Sequence, residues 1–330
     1  MVGIRKGRAA RVAILAGIDE AGFGPLLGPL LVSCDAFRVE PALLEADLWQ
    51  VLKRSVGRTR KHLSGRLLIA DSKKAYNREE GLGHLERTSL AVLQVMGQET
   101  QDLASLIGVL CPDCLPRLSE YPWYQDMQDR YLATGRADAK IAAKVFADDL
   151  QSHGAKLVHL RSCCLDVAYY NTMIDLVKNK SQVLFITTTR LIQNLLDEFP
   201  GQDIYVLIDR QGGRAHYREH LLRSFGGMDL KIVHEDEQSS TYELRTAARV
   251  LRLTFEVKGD DHYLPVSLAS MVSKYVRELL MERMNDYFGH LDANLRPTAG
   301  YWTDGQRFLE DLRSRLPDVR IDNRQLVRCR

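Results

Sequence analysis

GIDEAGFGPLLGP, residues 17–29, ends an apolar run on two adjacent acids, Asp19 and Glu20, and follows them at once with glycine and proline. The run before it, VAILAGI (12–18), has the length and residue types of a buried β-strand. Two later segments end the same way. GQDIYVLIDRQGG (201–213) is an apolar run that enters through Gly201, reaches Asp209 and leaves through Gly212 and Gly213. LRLTFEVKGDD (251–261) alternates, with Leu251, Leu253, Phe255 and Val257 on one face and Arg252, Thr254, Glu256 and Lys258 on the other. That is the period of a half-buried strand, and it ends on Asp260 and Asp261.

Aspartate favours turns, which accounts for any one of these endings. Three together point further, because strand ends of one sheet converge on one edge. Clustered carboxylates repel, which raises their pKa and destabilises the fold unless cations lie between them. For an all-oxygen set the fitting cations are Mg²⁺ or Mn²⁺. Two such ions roughly 4 Å apart suit in-line displacement at phosphorus, one activating the attacking water and the other stabilising the leaving oxygen. The pattern supports a metal-dependent phosphodiesterase or phosphotransferase without choosing between them.

The rest of the chain alternates strands with helices. LLVSCDAFRV (30–39) reads as a second strand and KLVHLRS (156–162) as a short one. Helical spacing covers 77–95, with Leu82, Leu85, Leu90 and Leu93, then ADAKIAAKVFADDLQ (137–151), 166–179 and 187–199. The clearest helix is SLASMVSKYVRELLMERM (267–284), with Ser267 placed as N-cap just after Pro265. The class is therefore α/β, a mixed sheet with flanking helices.

Composition narrows the setting. The 330 residues are 45% hydrophobic, enough for one large domain or two ordinary ones, and a net charge of +2 neither demands nor excludes a nucleic-acid partner. Basic residues crowd two places, Arg5, Lys6, Arg8 and Arg11, and Lys53, Arg54, Arg58, Arg60 and Lys61. Each run reads as solvated surface or as phosphate contact. No apolar stretch reaches the roughly 18 residues of a membrane span. The N-terminus imitates a secretory signal, but its apolar core is short and ends in Asp19–Glu20, so it reads as a strand of a cytosolic, cytoplasmic chain. The six cysteines show no disulfide framework. Cys111-Pro-Asp-Cys114 has the spacing of half a zinc site or of a redox pair. The candidate further ligands Cys163, Cys164, His153 and His159 do not repeat that spacing, which favours ordinary reduced thiols.

On its motifs the sequence resembles the type 2 ribonuclease H (ribonuclease HII-like) family. GIDEAGFGPLLGPLLV matches the family's first-strand signature, and Asp71-Ser72-Lys73-Lys74 its Asp-Ser-Lys-Lys element. VLIDR (206–210) and VKGDD (257–261) match the segments that carry the third and fourth acids. ASMVSKYVRELLM (269–281) resembles the following helix, with Lys274 and Arg277 in register, and Gly300-Tyr301 with Thr303 matches a Gly-Tyr-x-Thr element. The six matches stand in the family's order and cover about a third of the chain.

The resemblance implies a ribonuclease H-like fold, a mixed five-stranded sheet flanked by helices with a C-terminal helical portion. It implies hydrolysis of the RNA strand of RNA–DNA hybrids or of ribonucleotide-containing DNA, using two Mg²⁺ or Mn²⁺ ions and leaving 5′-phosphate and 3′-hydroxyl ends. The implied catalytic metal ligands are Asp19, Glu20, Asp209 and Asp260, with Asp261 a neighbour in an alternative register. Alternation puts Asp19 and Glu20 on opposite sides of an ideal strand, so Glu20 joins only if the chain bends, as Gly22 and Gly24 permit. The implied substrate contacts are Gly22, Phe23, Gly24 and Tyr301 at the ribonucleotide, where the 2′-hydroxyl separates RNA from DNA. Tyr301 also reads as an ordinary core or surface tyrosine. Lys73 and Lys74 read equally as phosphate contacts or as a helix-start charge pair.

Three positions depart from the family. Phe23 stands between the glycines, Arg210 follows the third acid, and Gln306 stands where the family often has histidine. The expected organisation is a catalytic domain over 1–285 containing an insertion at about 100–150, then a helical extension over 286–330, in a monomer. Two other readings stay open: a nuclease of the same fold acting on other DNA or RNA structures, and a non-catalytic nucleic-acid-binding module.

Overall fold

A computed structural model describes residues 12–76, 81–132 and 136–329. Arg5, Lys6, Arg8 and Arg11, and residues 77–80 of the first expected helix, lie outside the described residues. The strands in chain order are β1 (Ala13–Ala21), β2 (Leu30–Val39), β3 (Val56–Gly57), β4 (Leu67–Leu68), β5 (Ala155–Leu165), β6 (Ile204–Asp209), β7 (Asp229–Glu235), β8 (Ser239–Arg245) and β9 (Val250–Glu256). Seven of them form one mixed sheet in the order β5-β2-β1-β6-β9-β8-β7, and β3 pairs with β4 as a separate ribbon.

The expected sheet had five strands. The hairpin of β7 and β8 enlarges it beyond that number. Strand β7 is mostly exposed along its length, so DLKIVHE shows no alternation by which to recognise it. At the centre β1, β6 and β9 run parallel, with Ile18 opposite Ile208 and Asp209 opposite Glu256. Their carboxyl ends therefore share one edge, the edge at which open α/β sheets bind ligands.

Alternation sorts the side chains into two cores. Ile14, Ala16 and Ile18 of β1 face a layer with Val183, Leu184, Leu191, Ile192 and Leu195 of the helix Lys180–Glu198. On the other face, Leu15 joins Leu31 and Phe37 with the helix Leu264–Leu291, the helix Gly83–Val95 and the helix Arg136–Ser152. Phe308, Leu309 and Leu312 of the helix Trp302–Arg315 belong to this second core too.

The helix Leu264–Leu291 is the long central element, with Met271, Val272, Tyr275, Val276, Leu279 and Leu280 fully buried. It begins three residues earlier than expected. Tyr263 is its N-cap, and Ser267 lies inside the first turn, where its hydroxyl donates to the Asp260 carbonyl. The helix crosses β1 at Gly17, where a Cβ would lie 2.2 Å from the Pro265 carbonyl carbon. No helix among the described residues is long and apolar enough to cross a membrane.

Candidate active site

Asp19 and Glu20 lie near the end of β1. The ladder with β2 continues past both of them, pairing Asp19 with Ser33, Glu20 with Val32 and Ala21 with Leu31. The turn follows at Gly22, whose φ of +90° suits glycine. Asp19 is buried at 6% exposure, and its Oδ1 accepts the Glu20 amide at 2.7 Å. Beneath it, the Ser273 hydroxyl donates to its carbonyl at 3.0 Å.

Asp209 closes β6 and accepts the Gly259 amide on Oδ1 at 2.7 Å. Asp260 reaches the same edge by another route than the one expected. Strand β9 stops at Glu256, Lys258 takes a left-handed φ of +56°, and a helical turn Gly259–His262 carries Asp260 back toward Asp209.

The four acids feel one another. Burial holds the Asp19 carboxyl well above the ordinary range, and the charges of Glu20, Asp209 and Asp260 push it further. Burial and then Asp209 raise Glu20 to about 8. Burial, Asp71 and Asp209 raise Asp260 to about 7. Asp209 is raised by burial, against which its amide bond to Gly259 and the charge of Lys73 work. Carboxylates from three segments far apart in sequence thus share one electrostatic site.

The Asp-Ser-Lys-Lys element completes this edge. Asp71 caps the short helix Ser72–Ala75 by accepting the Lys73 amide at 2.8 Å, and its charge bears on both Asp209 and Asp260. Asp71 was missed as a member of the acid set, because an aspartate before a helix reads first as a cap. Ser72 receives a hydrogen bond from Ser270 at 3.1 Å, which ties the element to the long helix under Asp19.

The two lysines part company. Lys73 is exposed and its charge stabilises the ionised forms of Glu20, Asp209 and Asp260. Lys74 forms an ion pair with Asp261, which holds the Asp261 carboxyl below its ordinary range. Arg58, from the basic run 53–61, donates to the Asp261 carbonyl and stacks 4.5 Å over Trp49.

The glycine bend and the Gly-Tyr element are one unit. The amides of Leu26 and Leu27 both donate to the Gly300 carbonyl, at 2.8 and 3.1 Å. Gly22 packs on Arg277, where a Cβ would come within 2.4 Å of Nε, whereas Gly24 faces open space. Arg277 is fully buried, donates to the Ala299 carbonyl at 3.2 Å and sits 6.0 Å from the Tyr301 ring centre. Tyr301 is 52% exposed. Phe23 is half-buried, with Lys180 Nζ 5.2 Å over its ring.

Arg328 had no signal in the sequence, and Arg210 was marked only as a departure from the family. Arg328, buried near the C-terminus, donates to the carbonyls of Gly28 at 2.7 Å and Gly22 at 2.5 Å, gripping the bend from behind. Arg210 turns its guanidinium to the Asp236 and Glu237 carbonyls of the β7–β8 hairpin.

The acid set has the chemistry that a hard divalent cation takes, oxygen donors with an excess of negative charge. As the side chains stand, no group of three or more His, Cys, Asp or Glu among the described residues closes to the geometry of a metal site. Asp19 and Asp209 each accept a backbone amide on Oδ1, and Ser270 and the Arg210 amide also bear on these two carboxyls.

No protein-family model and no curated protein matches the chain. Solved structures do align along nearly all of it. A chain of the PCNA:RNase HII complex from Archaeoglobus fulgidus is 17% identical, with 96% of this chain and 94% of that chain covered, at a TM-score of 0.46. The ribonuclease H2 from Pyrococcus horikoshii OT3 is 14% identical over 95% and 92% of the two chains, at a TM-score of 0.38. Bst-RNase HIII in complex with Mn2+ is 13% identical over 97% and 67%, at a TM-score of 0.41. At these identities and scores the likeness adds nothing to the chemistry, which rests on this chain's own residues.

Proposed function

We propose that the chain is a divalent-metal-dependent endonuclease that hydrolyses the RNA strand of RNA–DNA hybrids, leaving 5′-phosphate and 3′-hydroxyl ends. The observation that supports it best is the mutual electrostatic coupling of Asp19, Glu20, Asp209 and Asp260 at the carboxyl edge of three parallel strands. Desolvating so many like charges gains a binding module nothing, whereas it suits a site for Mg²⁺ or Mn²⁺. Those four residues would hold the ions, with Asp71 behind Asp260. When bound, the ions supply charge neutralisation and Lewis-acid assistance to attack at phosphorus.

The protein's own groups do the rest. Lys73 stands beside the acids as a cation for a scissile-strand phosphate. The Gly22–Phe23–Gly24 bend, held by Arg328 at the Gly22 carbonyl and followed by the Leu26 and Leu27 amides on Gly300, would offer its backbone, and Tyr301 its ring, to a ribose. An exposed tyrosine face and a nearby backbone suit recognition of a 2′-hydroxyl. The proposed partner is accordingly an RNA–DNA hybrid or ribonucleotide-containing DNA, bound by a monomer.

One feature favours a second reading. Phe23 under the Lys180 ammonium places an aromatic–cation pair where the family has a basic or small residue, and such pairs stack on unpaired bases. A nuclease of this kind would take branched or single-stranded substrates. Labelled RNA–DNA hybrid, a duplex with a single ribonucleotide and plain DNA, each incubated with Mg²⁺ or Mn²⁺, separate the two. Cleavage of hybrid by the wild type and its loss in Asp209→Asn are expected. Full activity in Asp209→Asn overturns the assignment of the acids, and preferential cleavage of DNA overturns that of the substrate.

A further inference from the structure

The CxxC pair finds a third thiol that its spacing in the sequence does not announce. Cys111 ends the helix Leu103–Leu110, and the next turn, Pro112–Cys114, folds Cys114 back so that its thiol donates to the Cys111 carbonyl at 3.0 Å. This segment packs on the edge strand β5. Cys164 of β5 lines the same small pocket as Cys111 and Cys114, and Cys114 perturbs the acidity of both. Cys114 stands in the middle of the three.

All three sulfurs are withdrawn from bulk water, at 4%, 1% and 3% exposure for Cys111, Cys114 and Cys164. A small pocket of about 50 Å³ nevertheless opens onto them, lined also by Arg117, Cys163 and Arg190. At roughly 10–15 Å³ per water the pocket has room for a few small molecules, hydrogen peroxide among them. The thiols do not stand in the geometry of a metal site. The environment splits their acidities: hydrogen bonds from Cys111 and Cys164, with Arg117 nearby, lower Cys114, while both of its partners are raised. Cys114, the most acidic of the three and set between the other two, is the sulfur placed to attack, with a resolving thiol on either side.

We propose that Cys111, Cys114 and Cys164 form an oxidisable thiol centre, in which hydrogen peroxide converts Cys114 and one flanking cysteine to a disulfide. The Cys114 sulfur attacks one peroxide oxygen as its thiol proton passes to the other, the O–O bond breaks, and water leaves, giving a sulfenic acid. The sulfur of Cys111 or Cys164 then attacks the Cys114 sulfur. The S–O bond breaks, the S–S bond forms, and the thiol proton leaves with the departing hydroxide as a second water. Two thiols lose two electrons in all, and one peroxide is reduced to two waters. An external dithiol reverses the change.

The test treats native, full-length protein with hydrogen peroxide, removes the oxidant with catalase, then unfolds the chain in N-ethylmaleimide and maps its peptides by mass spectrometry. The expected product is a Cys114 peptide lighter by two hydrogens, closed internally on Cys111 or joined to the Cys164 peptide, and restored by dithiothreitol. Cys163→Ser keeps this product. Cys114→Ala loses it at least tenfold, with circular dichroism confirming the fold. The wild-type map tests the proposal even if that variant misfolds. Complete alkylation of Cys114 at peroxide doses that oxidise the exposed Cys329 overturns it. So does formation of the same link at an equal or faster rate in urea-unfolded chain, since the folded pocket would then contribute nothing.

Discussion

Asp209 is the carboxylate that links the others, raised itself and acting on Asp19, Glu20 and Asp260 alike. Replacing it by asparagine keeps the shape and the Gly259 amide contact while removing the charge. Hybrid cleavage should fall by about 10²-fold or more, the scale of losing one electrostatic stabiliser of a transition state. Binding of the hybrid, followed by fluorescence anisotropy, should change little. Asp35 poses a different problem. It is fully buried in β2 opposite Gly17, neither of its oxygens makes a well-formed hydrogen bond, and burial drives its pKa well up. A carboxyl raised on folding lends full stability below its unfolded pKa near 3.8 and loses it as pH rises toward the folded value. Asp35→Asn should therefore raise the Tm at pH 8 and leave it nearly unchanged at pH 4. Equal shifts at both pH values would contradict this reading. At this scale the sequence displayed Asp19, Glu20, Asp209 and Asp260 plainly, because each interrupts or follows an apolar run. Asp71 stood in the Asp-Ser-Lys-Lys element without being read as one of the acids, Cys164 was weighed only as a zinc ligand, and no local pattern marks Arg328. All three owe their roles to contacts made across the fold.

Elements show the same division. Strands β1, β6 and β9 were legible because a buried strand must be apolar or alternating, and the long helix because its apolar residues recur every three or four positions. The β7–β8 hairpin was not, since its outer strand faces water and carries no such pattern. The start of the long helix was misplaced because Ser267 looks like a cap, while in the fold its hydroxyl serves the Asp260 turn. Two contacts between elements can be tested. Gly17 lets Pro265 approach the backbone of β1, and Gly17→Ala puts a methyl inside that contact. Because the obstacle is backbone, the helix must shift, and urea denaturation should show a loss of roughly 1–3 kcal/mol. Arg328 holds the Gly22 and Gly28 carbonyls from the C-terminal segment. Arg328→Met should loosen the bend, raising KM for hybrid more than it lowers kcat, because the acids themselves stay in place. A fall confined to kcat would contradict a positioning role.

In the whole molecule, an all-carboxylate edge makes stability depend on pH and on divalent ions together. Glu20 and Asp260, raised to about 8 and about 7, favour the fold when protonated and weaken it as pH climbs from about 4 through those values. Cations that bind the ionised edge reverse the loss, since any ligand preferring the native state stabilises it. Mg²⁺ should therefore raise the Tm clearly at pH 8 and hardly at pH 5. The most direct measurement is isothermal titration of Mn²⁺ into metal-free protein at pH 7.5, in two buffers of different ionisation enthalpy, for the wild type and Asp209→Asn. Binding by the wild type with net proton release, together with its loss or at least tenfold weakening in the variant, is the predicted result. Equal binding by both proteins, or uptake of Mn²⁺ without proton release, would contradict a metal centre built on these carboxylates.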